Sequence, residues 1–227
     1  QHPRPNRRPL PRRGPRPKAP GNAHRLEAKE SHPRRNGIHQ QLCQAGVENL
    51  VVLPLFPQYS GSTTGSIYDA LTDELGRGRR LPALHFTSHY YSHPAYIDAL
   101  AESVRTAWQS RPRPQTLLFS FHGIPRAYVE KGDPYQEQCL STASLLAERL
   151  ELEGGVWQAA FQSRFGPQEW LKPYTSETLR NLGKAGVDGL DVLCPGFAVD
   201  CLETIDEIGR EGRHLFEQAG GKSFRYI

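Results

Sequence analysis

Apolar and polar positions alternate along this chain in two different rhythms. A short continuous apolar run at 50–55 reads as a buried strand, preceded by a short helix from residue 37 and a turn at Gly46. A second strand is expected at 82–87. The stretch "PAYIDALAESVRTAWQS" places Ile97, Leu100, Ala101, Val104 and Trp108 on one face at helical spacing. "TLLFSF" predicts a strand at 116–121, and "YQEQCLSTASLLAERL" a helix. "GVWQAAFQSR" reads as a strand, "TSETLRNLGKAGV" as a helix and "GLDVLCPGF" as a strand. One continuous helix is expected for "DCLETIDEIGREGRHLFEQAG". Strands that are continuous apolar runs and alternate with helices define an α/β fold: a Rossmann-like parallel sheet with helices on both faces. Right-handed crossovers are expected.

Ligands of such a sheet bind beyond the carboxyl ends of the strands. The polar residues that follow each strand are therefore the candidates. They are "PQYSGSTTGS" after the first, and Ser88, His89, Tyr90, Tyr91 and His93 after the second. His122, Gly123 and Pro125 follow the third, and Gln162, Ser163, Arg164 and Gly166 the fourth. Pro195, Gly196, Phe197, Asp200 and Glu203 follow the last. A lone His122 is by itself as compatible with capping or core packing as with chemistry. The Gly/Ser/Thr loop lacks the lysine of a phosphate-binding P-loop, and no G-x-S-x-G elbow supports a hydrolase triad. Trp157, Trp170 and Phe197 are compatible with plain core. Glu203, Glu207 and Glu211, at i, i+4 and i+8 with Asp200 just before, would line one helix face. That face fits either simple solvation or a track for a divalent cation.

Composition changes the picture in three ways. Among 227 residues there is no methionine, and the first is glutamine, which suggests a fragment. No run of about 18 apolar residues marks a membrane span, and no apolar h-region marks a signal peptide. Cys43, Cys139, Cys194 and Cys201 lie far apart with no C-x-x-C pair, which argues for a reducing cytoplasm and against a zinc ribbon. Residues 1–35 hold eleven Lys or Arg against two acidic residues and eight prolines. Their net charge of +9 exceeds the +4 of the whole chain, so the remainder is acidic at −5. A segment so poor in apolar residues is expected to be disordered rather than a nucleic-acid-binding arm. Its bias also matches GC-rich DNA read in the wrong frame.

Five segments, "LPLFPQYSGSTTGS", "SFHGIP", "FQSRFGPQEWLKPYT", "LCPGFAVDCLETIDEI" and "AGGKSFRYI", resemble the consecutive motifs of the ferrochelatase family in its bacterial form. The resemblance covers residues 37–227. It implies insertion of Fe2+ into protoporphyrin IX, in a cleft between two Rossmann-like lobes. Residue by residue it places the active-site histidine on His122 and the active-site glutamate on Glu203, either of which could serve as base or metal ligand. It matches Glu207 and Glu211 to an acidic metal or proton route. Phe197, Asp200 and Tyr59 fall among its substrate-binding positions. A neutral imidazole can accept a pyrrole proton or ligate the metal, and strain in a ruffled macrocycle would expose its nitrogens.

The resemblance further implies porphyrin and ferrous iron as partners and no nucleic acid. It also implies a monomer in the cytoplasm with peripheral contact to the inner membrane. No tightly bound cofactor is expected. Some members carry an iron–sulfur cluster with a cysteine in the "PQYS-x-STTG" loop, where this chain has Gly61. The expected organisation is a Pro/Arg-rich segment at 1–36 outside the family, a remnant of the first lobe with its crossover at 37–75, and a complete second lobe at 76–227. The first lobe would be mostly missing. A catalytically inactive truncated homologue that binds porphyrin or metal weakly is the alternative, and a cobalt or nickel chelatase is a more distant one.

Overall fold

The computed structural model describes residues 46–227 except Arg77, Arg80 and Pro112, all within one compact unit, His39–Ile227. The expected 1–36 segment, the helix from residue 37 and Cys43 lie outside the described residues. Gly46 adopts φ +75, the left-handed turn its position called for.

Two parallel sheets are present among the described residues. The smaller pairs β1 (Asn49–Val52) with β2 (Ala83–Phe86), Asn49 opposite Ala83. The larger has four strands in the order β4-β3-β5-β6. Its members are β3 (Thr116–His122), β4 (Trp157–Gln162), β5 (Gly189–Leu193) and β6 (Ser223–Tyr226). β1 is shorter than the run at 50–55 because Pro54, which has no N–H to give a ladder, interrupts it.

Helices fill the crossovers. A π-helical turn, Gly61–Gly65, leads into α1 (Ser66–Leu75) between β1 and β2. The hydrophobic rhythm did not announce either element. α2 (Pro94–Ser110) starts with Pro94 in its first turn and His93 as N-cap, whose Nδ1 accepts from the Ala95 N–H. It buries Ile97, Ala101 and Val104, with Leu100 and Trp108 half-buried beside them. A short α3 (Arg126–Glu130) precedes α4 (Tyr135–Arg149), and α5 (Thr175–Lys184) leads from β4 to β5.

The last helical stretch is not one α-helix. It comprises α6 (Leu202–Thr204), a π-helical segment Ile205–Gly212, and α7 (Arg213–Gln218). α7 lies so close to α5 that a Cβ at Gly183 would stand 2.5 Å from the Phe216 carbonyl oxygen. Only glycine fits there.

Six of the seven residues of β3 are buried. Leu117, Phe119 and Phe121 enter a core with Ala101, Val104, Cys139, Leu146 and Phe161, under α2 and α4. Leu118 enters a second core with Leu179, Val192, Ile208, Phe216 and Phe224, under α5 and the last helical stretch. A strand covered on both faces cannot alternate apolar with polar residues, which is why "TLLF" is continuous. Burying each large side chain contributes about 1.5–3 kcal/mol.

Candidate active site

The carboxyl ends of β1, β3, β4 and β5 converge on one cleft of about 650 Å³. His122 is the last residue of β3 and stands in that cleft, half-buried, with Gly123 following at the turn. Its Nδ1 lies 2.6 Å from the Gly123 carbonyl oxygen. A carbonyl only accepts, so Nδ1 carries the hydrogen and the neutral ring keeps its lone pair at Nε2. The Trp170 and Phe197 rings flank the imidazole, each with its centroid 6.3 Å away. The Tyr135 hydroxyl donates to the His122 carbonyl at 2.9 Å. Gly123 is needed where it is: a Cβ there would come within 2.9 Å of the Gln162 carbonyl oxygen and 3.1 Å of the Trp170 ring.

Glu203, on α6, also lines the cleft. The Cys201 side chain hydrogen-bonds to its carboxylate and holds it below the usual range. The Glu203 N–H acts in the same direction, burial opposes both, and His122 adds the smallest effect, a lowering whenever its ring is charged. Cys201, in the same wall, is pushed up mainly by burial. Phe197 lines the cleft as well, at the end of β5. The histidine, the glutamate and the aromatic wall singled out in the sequence thus share one cavity.

The remaining predicted residues are placed differently. Asp200 is exposed and does not line the cleft. Its Oδ1 accepts from the Tyr226 hydroxyl at 2.6 Å and from the Thr204 hydroxyl at 2.9 Å, which ties β6 to the start of α6. Tyr59 lies outside the cleft. Its N–H donates to Gln138 Oε1 at 2.7 Å, and its ring lines a shallow groove with Tyr128, Lys131 and Pro134. Glu207 turns onto the end of β4, where its oxygens accept from the Ser163 N–H at 2.7 Å and the Ser163 hydroxyl at 2.6 Å. Ser163 has φ +62, so Glu207 braces a left-handed residue. Glu211 pairs with Arg210 at 3.3 Å on the surface.

The expected row of three glutamates therefore shares a helical stretch but not a partner. Among the described residues, no three His, Cys, Asp or Glu side chains gather into a metal cage. A pair, His122 and Glu203, is what the cleft presents to an incoming ion.

Several cleft residues escaped the reading of the sequence. Leu55, Phe56, Tyr128 and Tyr135 line it, and so does Trp170, read above as core-compatible. Leu55, Phe56 and Trp170 sit in loops beyond the strand ends, Tyr128 on α3 and Tyr135 at the start of α4. For Leu55, Phe56 and Trp170 the one signal was their place inside the quoted motifs, whereas Tyr128 and Tyr135 lie outside every one of them.

The site is thus an α/β scaffold with an apolar, aromatic-walled cleft at its strand ends that holds one imidazole and one ionised carboxylate. A family model described as ferrochelatase matches residues 23–227. The chain belongs to the ferrochelatase family. The likeness begins at residue 23, fourteen residues before the boundary expected at 37, so part of the Pro/Arg-rich segment is inside the family match.

The chain is 50% identical over 203 residues to a ferrochelatase of Nitrosococcus oceani, covering 89% of this chain and 55% of that one. It is 52% identical over 181 residues to that of Methylococcus capsulatus, covering 80% and 56%. To that of Thioalkalivibrio sulfidiphilus it is 54% identical over 187 residues, covering 82% and 51%. The chain spans about half the length of the curated relatives it matches. A solved structure of CbiX, described as the terminal enzyme for biosynthesis of siroheme in denitrifying bacteria, superposes with a TM-score of 0.49. That superposition covers 78% of this chain and 67% of the other at 16% identity, too distant to bear on function.

Proposed function

We propose that this chain carries the metal-insertion site of a ferrochelatase and places Fe2+ into protoporphyrin IX with release of two protons. The observation that carries this reading is the pairing of His122 and Glu203 in a cleft walled mostly by apolar and aromatic side chains, with Gln58, Ser60, Ser62 and Thr63 as its further polar lining. A flat macrocycle suits such walls, with Phe197 and Trp170 flanking the imidazole. Two pyrrole N–H protons must leave as the dication enters. The Nε2 lone pair of His122 can accept one of them, and the ionised Glu203 can guide the ion or take the second proton.

The same reading has porphyrin and ferrous iron as substrates, with no nucleic acid partner and no resident cofactor. Gly61 supplies no thiolate for an iron–sulfur cluster. We place the protein in the cytoplasm as a monomer in peripheral contact with the membrane. Phe165 at 82% exposure and Leu202 at 73% are the apolar side chains that support such contact. Among the described residues no helix is long and apolar enough to cross a membrane.

The test is zinc insertion into porphyrin by the 227-residue chain, followed by zinc-porphyrin fluorescence. Insertion is expected, with a loss of about 10²–10⁴-fold in His122→Ala. Insertion no faster than in His122→Ala overturns the reading for this chain. It would favour the inactive homologue.

A further inference from the structure

Gln162 closes β4 in register with His122. It is buried, at 3% exposure, yet its side chain spends every polar valence. Oε1 accepts from the Ser120 hydroxyl at 2.7 Å and lies 3.5 Å from the Cys194 sulfur. Nε2 donates to the Glu203 carbonyl at 2.7 Å and faces Glu207 Oε2 at 3.4 Å. A carbonyl and a carboxylate can only accept, so the amide has one orientation. Its backbone is engaged as well: the Gln162 carbonyl accepts from the Gly123 N–H at 2.8 Å. Gly123 is in turn the residue whose carbonyl fixes the His122 ring. One residue therefore holds the histidine side of the cleft through its main chain and the glutamate side through its side chain.

We propose that Gln162 is a positioning residue for metal insertion, which sets Glu203 against His122 by donating from its side chain to the Glu203 carbonyl and accepting at its main-chain carbonyl from the Gly123 N–H. It touches neither porphyrin nor metal. The inference rests on the metal-insertion reading above, and its test separates the two. Both outcomes of geometry matter here, because a carboxylate displaced by about 1 Å from its working position can cost on the order of 10²-fold in rate.

The variant Gln162→Met keeps length and volume and removes both halves of the amide. In the zinc-insertion assay with the 227-residue chain, kcat is expected to fall roughly tenfold or more with KM for porphyrin within about twofold. Amide hydrogen exchange is expected to quicken in residues 202–212 while β3, β5 and β6 keep their protection. Ser120→Ala, which frees only the Oε1 side, should show the same pattern more weakly and serves if Gln162→Met does not fold. Unchanged kcat together with unchanged exchange in 202–212 overturns the proposal. So does faster exchange spread evenly over the whole sheet, which marks a residue that only stabilises the fold. If the unsubstituted chain inserts no zinc, the metal-insertion reading fails by itself, and the exchange pattern alone decides for or against Gln162.

Discussion

The two sheets obey the same parallel pairing and are buried very differently. β3 of the larger sheet is buried at six of seven positions, whereas β1 and β2 of the smaller one alternate exposed and half-buried residues. Val51 is 71% exposed, while Phe119 is not exposed at all. The difference teaches a division of labour. The larger sheet, covered on both faces, is the stable platform from which His122 projects. The smaller sheet supplies a wall, and its stability comes from where its loop is tied down.

Part of that tie converges on one carbonyl: Pro195 O accepts from Gln58 Nε2 at 3.1 Å and from the Tyr96 hydroxyl at 3.0 Å. Gln58 also donates to the Thr142 hydroxyl at 3.0 Å. The loop after β1 is thereby fixed to the end of β5 and to α4, and Leu55 and Phe56 are carried into the cleft.

The comparison can be broken most directly by truncating one apolar residue in each sheet. Phe119→Ala should cost about 3–5 kcal/mol through lost burial and a new cavity. Val51→Ala should stay within roughly 0.5 kcal/mol, as surface substitutions do. Urea unfolding of both variants checks this, and equal losses would erase the distinction between platform and wall.

Next in size is the buried pair that anchors the far end of the larger sheet. Arg225 donates to Asp191 through Nε at 2.8 Å and Nη2 at 2.5 Å, and through Nη1 to the Ala107 carbonyl at 2.6 Å. Trp108 Nε1 adds a bond to Asp191 at 2.9 Å. Arg225→Ala leaves Asp191 charged and short of partners in the interior, so a loss of about 3 kcal/mol is expected in the same unfolding experiment. Metal insertion should change little where the variant is folded, because the pair lies at the opposite end of the strands from His122.

A smaller effect sharpens the role of the wall. Leu55→Ala should weaken porphyrin binding, read by fluorescence quenching, by no more than roughly tenfold, the loss of a few methylene contacts. It should leave folding stability nearly intact, since Leu55 is 56% exposed.

The smallest expected effect is a pH dependence. Glu203 in the folded chain titrates below its ordinary value of 4.5. A carboxylate so shifted stabilises the fold at pH above that value and loses the contribution as pH falls through the folded value. Glu203→Gln should therefore narrow the stability gap to the unsubstituted chain as solutions are made more acidic than 4.5. The change is modest because the group is half-exposed and screened by solvent. Thermal melts over that range would settle it, and a gap that widens on acidification would contradict the assignment.

Much of this was legible in the residues. Continuous apolar runs marked β3 and β5, because a strand covered on both faces needs no polar positions. The helical face of α2 was read from its spacing, and α4 was expected as a helix. His122, Phe197 and Glu203 were candidates from their place after strands, and the family resemblance gave them roles. What was missed has a physical cause in each case. β6 is four residues, too short for a rhythm to emerge, and its Arg225 and Tyr226 are polar because they pair with Asp191 and Asp200. The π-helical turn Ile205–Gly212 breaks the α-helical register on which the row of glutamates was drawn. Glu207 consequently serves Ser163, and Glu211 serves Arg210.

By itself the sequence determined the class of fold, the order of the strands along the chain and the residue types available at their ends. These follow from local periodicity, which every segment carries within itself. Tertiary structure alone decided which loops meet. That Gln58 reaches Pro195, that Tyr59 stays outside the cleft while Trp170 enters it, and that Gln162 joins Gly123 to Glu203 depend on partners 39 to 137 positions apart. No local pattern encodes such pairings, because each exists only once the sheet has brought the strand ends together.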